Sequence, residues 1–172
     1  MRPLALMLFA TRLFASEARF TDELWVGIEP AYQRALARGT PVGEPRGLRN
    51  ALTTLAAKAP RAEWRVTLEN LAATMPQSPG GPVTYPRFAE GFAAILPHFW
   101  IRWELAKDLQ KRDVKSPEYR SWIDRYSSES YRETVSQLIR MMNAQAERMD
   151  PASRERLKPI FAAAAGEALK IP

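Results

Sequence analysis

Apolar side chains recur along this chain at helical rather than strand spacing, and proline, glycine and capping residues mark the breaks between the periodic runs. Leu24, Trp25, Ile28, Tyr32 and Leu36 fall on one helical face. They predict a helix that Thr21 or Asp22 caps and that runs toward Ala37, with Pro30 kinking or shortening it. Residues 38–47, RGTPVGEPRG, read as a loop. Leu48, Leu52 and Leu55 then define a helix over 48–59, and Trp64, Leu68, Leu71 and Met75 another over 61–75. The stretch PQSPGGPVTYP, residues 76–86, is a linker. From Phe88 to about Arg112 the pattern is apolar nearly all round, which predicts a buried helix, bent at Pro97. Ser116-Pro117 opens the next element. Ser127 or Ser128 caps a long helix through Met149, with Tyr131, Val135, Leu138, Ile139, Met142, Ala146 and Met149 inward. Asp150-Pro151 opens the last, whose stripe is Leu157, Ile160, Phe161, Ala164 and Leu169. With no β-hairpin signal and no internal repeat, the expected fold is all-α, a helical bundle of about six or seven helices.

The chain's 172 residues suit one domain, expected over 21–172, with residues 1–20 as an N-terminal extension or helix. That N-terminal stretch also carries the basic start and apolar run of a weak targeting signal. Arg12 interrupts the run, however, and no small-x-small site follows. Zero cysteines exclude disulfides, thiolate metal sites and a thiol nucleophile, and a single histidine excludes a multi-histidine metal site. No metal or cofactor is therefore expected. The net charge of +6 is spread among acids without a basic run, so a solvated basic surface is expected rather than nucleic-acid binding. No apolar stretch reaches the roughly twenty residues of a membrane span, and the expected location is cytoplasmic.

Candidate chemistry concentrates in residues 91–126, which hold three of the five tryptophans and the only histidine. On a helix after Pro97, His98 and Arg102 share one face, Phe99 and Trp103 the next, and Trp100 and Glu104 a third. Ionisable groups on a buried helix need partners, and a cluster of them often marks a site.

The words AAILPHFWIRWELAKDL and SPEYRSWIDRYSSESYRETVSQLI resemble the TenA, or thiaminase II, family, whose corresponding segments read ALLPCYW and PYxxWIxxY. The resemblance runs from about Phe88 to Phe161, and FTDELWVGIEPAYQRAL and ALTTLAAKAP add fragments of it. It implies the all-helical heme-oxygenase-like fold and hydrolysis of the aminopyrimidine part of thiamin or its degradation products. The implied partner is a small aromatic heterocycle, and the family's tetramers imply a homo-oligomer. The chain departs from the family in residues 38–47, where the family places a helix carrying an aspartate beside tyrosines that grips the aminopyrimidine. Here the only acid is Glu44.

On this resemblance Tyr126, which ends WIDRY, matches a pocket tyrosine able to stack on and hydrogen-bond a heterocycle, or it is a core tyrosine. His98 stands where the family has its nucleophilic cysteine. Imidazole is a general base for water rather than a nucleophile here, the alternative being a histidine satisfied within the core. Arg102 replaces a pocket tyrosine and brings a fork suited to an anionic group, or it salt-bridges Glu104, Glu167 or Asp124. Glu167 is the candidate for the catalytic carboxylate on the last helix. It lies one residue short of the family spacing, a slip of about 100° around the helix, which turns it toward solvent. Glu104 is either an ion-pair partner or half of an acid/base pair. Trp100 and Trp122 also match the family and are assigned mainly to packing, and Tyr85 lies near the position of a stacking tyrosine. Two functions follow: an aminopyrimidine hydrolase in thiamin salvage, or a catalytically inactive helical module that binds a small molecule or a protein. Heme or di-iron chemistry fits a lone histidine poorly.

Overall fold

The periodic runs fold as helices in the computed structural model, which describes residues 19–171; the targeting-signal reading of residues 1–18 lies outside them. Seven helices follow one another and no strand occurs among the described residues: α1 (Phe20–Arg38), α2 (Leu48–Ala56), α3 (Ala62–Thr74), α4 (Phe88–Gln110), α5 (Pro117–Tyr126), α6 (Glu129–Glu147) and α7 (Pro151–Ala168).

Three of the predicted starts are built as the sequence suggests. The side chains of Ser116, Ser128 and Asp150 accept from the backbone N–H groups of Tyr119, Tyr131 and Ser153, and Pro117 and Pro151 occupy first turns where no N–H is needed. The start of α1 differs. Neither Thr21 nor Asp22 is its N-cap: the helix begins at Phe20, and Asp22 accepts the Arg19 backbone N–H at 3.0 Å. Thr21 is buried because its backbone N–H and hydroxyl pair with the side-chain amide of Asn143 on α6, both at 3.0 Å. Pro30 does not shorten α1. It lies on the exposed face, where the Val26 carbonyl deprived of a donor faces water.

Helix α4 is the axis of the molecule. It is buried on nearly every face, runs unbroken through Pro97, and is enclosed by α7, α6, α5, α2 and α1. Helices α2 and α3 pack on each other as a hairpin that meets α4 mainly through α2, with Trp64 of α3 stacked on Phe88 of α4 at 5.8 Å. Gly47 holds the base of this hairpin, with φ of 63° and its N–H donated to Ser78 Oγ at 2.8 Å. A Cβ there would lie 1.5 Å from the Gly80 carbonyl oxygen, so only glycine lets the two chain segments cross.

Residues 39–47 form a strap rather than a helix. Val42 anchors it in the core, and the Gly43 N–H donates to the Lys170 carbonyl at 2.9 Å. Arg38 reaches the Leu169 carbonyl at 2.8 Å. The strap is thereby tied to the end of α7 and led across α4.

Candidate functional site

Where the strap crosses α4, it meets the corner between α5 and α6. Tyr126 ends α5 and Tyr131 sits in the first turn of α6, so the Ser128 cap fixes their mutual approach. Their rings meet edge to face at 5.0 Å, Trp122 tilts against Tyr126 at 4.8 Å, and Phe99 stacks on Tyr131 at 6.5 Å. Such contacts fix ring positions beyond what burial alone does. The Tyr126 hydroxyl donates to Glu44 Oε2 at 2.6 Å, joining residues 82 positions apart. Burial and the Glu44 carboxylate push the Tyr126 hydroxyl up to about 12, so it stays a donor at neutral pH. Tyr131 is driven upward further by burial, and its hydroxyl donates to the Phe99 carbonyl at 3.2 Å.

Beneath this corner lies Arg102, only 2% exposed. It forms none of the expected salt bridges to Glu104, Glu167 or Asp124. Its guanidinium donates to the Gly43 carbonyl at 2.5 Å and to the carbonyl of His98. Burial lowers its basicity, and the nearby Tyr131, Tyr126 and Glu44 act in the opposite direction. Arg102 thus clips the strap, and with it Glu44, against Tyr126.

His98, one turn before Arg102, is held down to about 4 by burial and then by the Arg102 charge, with Glu167 opposing. It is therefore a neutral imidazole through the neutral range. Its Nδ1, Arg102 Nε and Trp122 Nε1 are buried with no hydrogen-bond partner among the described residues. Native structures seldom leave buried donors and acceptors unpaired, and all three belong to this one cluster.

The structure thus brings together Tyr126, Arg102 and His98, and adds Glu44, Tyr131 and Trp122. Glu44 carried no periodic signal and was not among the candidates expected from the sequence; it is the only acid of the loop over residues 38–47. The other candidates lie apart. Glu104 is buried on the far face of α4, accepting from Trp100 Nε1 at 3.1 Å and pairing with Lys107 at 2.8 Å. Trp100 packs between Trp25 at 4.7 Å and Phe161 at 6.1 Å, inside the core rather than at the tyrosine corner. Glu167 is exposed and pairs with Lys170 at 2.8 Å. It still bears electrostatically on His98. Tyr85 lines a shallow crevice with Leu55, Gly91 and Ile95, and none of these residues contributes to the tyrosine corner. No group of three or more potential ligands could hold a metal among the described residues. No helix among them is long and apolar enough to cross a membrane.

Comparison with known proteins bears on this geometry. Residues 83–166 match the TENA/THI-4/PQQC family. The aminopyrimidine aminohydrolase of Bacillus subtilis (strain 168) is 32% identical over 74 residues, which cover 43% of this chain and 31% of that protein. The matched stretch thus spans about a third of the curated relative. Two solved structures share the fold. A TenA homologue from P. horikoshii OT3 superimposes with a TM-score of 0.67 at 18% identity, covering 88% of this chain and 95% of that one. A TenA homologue from Pyrococcus furiosus gives 0.61 at 19%, covering 87% and 96%. The all-α fold expected from the sequence is therefore that of TenA proteins.

Proposed function

We propose, from the match of residues 83–166 to the TENA/THI-4/PQQC family, that the chain is an aminopyrimidine hydrolase of thiamin salvage. The observation that carries the reading is Glu44, delivered by the strap onto the Tyr126 hydroxyl at 2.6 Å. A carboxylate beside an aromatic ring offers a heterocyclic amine both a charge-assisted acceptor and a stacking face. The relative's name, aminopyrimidine aminohydrolase, supports that choice of heterocycle.

In this reading the ring stacks at Tyr126 and Tyr131, and Glu44 accepts hydrogen bonds from its amino group and protonated ring nitrogen. Neutral His98 accepts a proton from water as the water oxygen bonds to the ring carbon bearing the amino group. The C–N bond then breaks, and the nitrogen leaves as ammonia after taking up that proton. Glu167 raises the proton affinity of His98 from a distance. Arg102 positions Glu44 and does not touch the substrate in this scheme.

Ammonia release from 4-amino-5-aminomethyl-2-methylpyrimidine tests the proposal. The wild type should turn it over, and Glu44→Gln should lower kcat/KM by roughly a hundredfold, about 2.7 kcal/mol of transition-state stabilisation. Wild-type protein that binds no aminopyrimidine contradicts it. The exposure of Glu167 favours one second reading, a member of the family that binds the heterocycle without hydrolysing it. Binding that depends on Glu44, with no ammonia released, would establish that reading instead.

A further inference from the structure

Helices α3 and α6 do not close on each other. Between them runs an open groove of about 650 Å³, bridged where Gln137 Nε2 donates to Thr67 Oγ1 at 3.1 Å. That volume lies within the range of roughly 300–1,000 Å³ typical of small-molecule sites. Leu71, Met75 and Leu138 make an apolar floor, and the walls carry uncharged hydroxyl and amide side chains, Asn70 and Thr134 among them.

One end of the groove is the tyrosine corner itself. Tyr131 lines the groove on one side and meets the Tyr126 ring at 5.0 Å on the other. Arg125, also in the lining, lies 3.7 Å from the Glu44 carboxylate. The groove and the Glu44–Tyr126 pair therefore meet at Tyr131 and Arg125. Among the described residues Arg125 is the one charged side chain of the lining and faces Glu44, and Glu129 at the start of α6 is paired with Arg132. What remains is an apolar floor between neutral hydrogen-bonding walls. Such a surface favours a neutral chain that alternates methylene with amide or hydroxyl groups, since each polar group it desolvates finds a partner and no charge is stranded.

We propose that this groove is a second subsite, which binds an uncharged amide- or hydroxyl-bearing substituent carried by the heterocycle seated at Tyr126 and Glu44. The inference rests on the hydrolase or binding reading of that corner, and it makes the natural ligand larger than a bare aminopyrimidine.

Three probes on the intact protein test it by titration calorimetry. All are 4-amino-2-methylpyrimidines whose 5-aminomethyl nitrogen is acylated: with acetyl, with hydroxyacetylglycyl, and with succinyl. The hydroxyacetylglycyl probe should bind at least tenfold more tightly than the acetyl probe, and the anionic succinyl probe should show no such gain. Asn70→Trp and, independently, Thr134→Phe place bulk in the groove from opposite walls. Each, once its cooperative melt shows a folded protein, should bring the ratio between the long neutral and short probes to near one. Equal affinities in the wild type, or a preference that survives both substitutions, overturns the subsite and leaves the reading of the tyrosine corner standing. Failure of all three probes to bind overturns both.

Discussion

Arg102 carries a charge in a place where charge is costly, and its two carbonyl partners show what it does there. A hydrogen bond from a charged donor contributes about 1.5–3 kcal/mol, and the one to Gly43 holds a segment with no regular structure of its own. Arg102→Met should therefore loosen the strap more than the helices. The expected readout is a rise of roughly ten- to a hundredfold in hydrogen exchange at the Gly43 amide, which donates to Lys170, with α4 protection retained. Unchanged exchange there would mean that Val42 and the ties to the end of α7 hold the strap without Arg102. His98 gives a second prediction at this scale. Its affinity for protons is depressed to about 4 in the fold, against about 6.5 in the unfolded chain. Neutral His98 thus contributes stability in full above about pH 6.5, and this is lost as the pH falls toward 4. Denaturant unfolding should show a loss of about 2 kcal/mol between pH 7 and pH 5 in the wild type that is missing in His98→Gln. Equal losses in both proteins would place the titration elsewhere. Tyr126 could be singled out in the sequence because its word, WIDRY, is local. The partner that gives it meaning could not, since Glu44 lies 82 positions away in a loop without periodicity.

Elements were the most legible level, because the signals that start a helix are local. Ser116, Ser128 and Asp150 cap where the sequence places them, and the ends fall within a few residues of the periodic runs. Thr21 failed as a cap because its polar groups are claimed by Asn143, a tertiary partner that no local pattern reveals. Glycine at the base of the α2–α3 hairpin allows a comparative test. Gly80 has φ of 77° and open space where a Cβ would go, so Gly80→Ala should cost only the left-handed strain of about 1–2 kcal/mol. Gly47 has similar strain and, in addition, the Gly80 carbonyl within the volume of a Cβ. Thermal melts should show Gly47→Ala lowering the midpoint at least twice as far as Gly80→Ala, whose loss should be roughly 2–8 °C. Equal losses would show that the crossing can spread without penalty.

At the scale of the whole molecule, an apolar helix enclosed by five others decides both the fold and the site. Helix α4 was recognisable as buried from its all-round apolar pattern, and the bundle class followed from it. Which of its faces carries the site was not recognisable. His98 and Arg102 face the strap and the tyrosine corner, whereas Trp100 and Glu104, equally promising in sequence, face the core around Trp25 and Lys107. The candidate site is completed only by the path of residues 39–47, which delivers the Glu44 carboxylate to the Tyr126 hydroxyl. The account stands or falls on that carboxylate. Thermal unfolding with and without 4-amino-5-aminomethyl-2-methylpyrimidine, in the wild type, Glu44→Gln and Tyr126→Phe, tests it most directly. A ligand present at a hundred times its Kd stabilises the native state by about 2.7 kcal/mol, which should raise the wild-type midpoint by roughly 5–10 °C. The account predicts that shift in the wild type and its loss in Glu44→Gln, with a smaller one in Tyr126→Phe. A wild-type midpoint that the pyrimidine does not move, or a shift that persists in full in both variants, would contradict it.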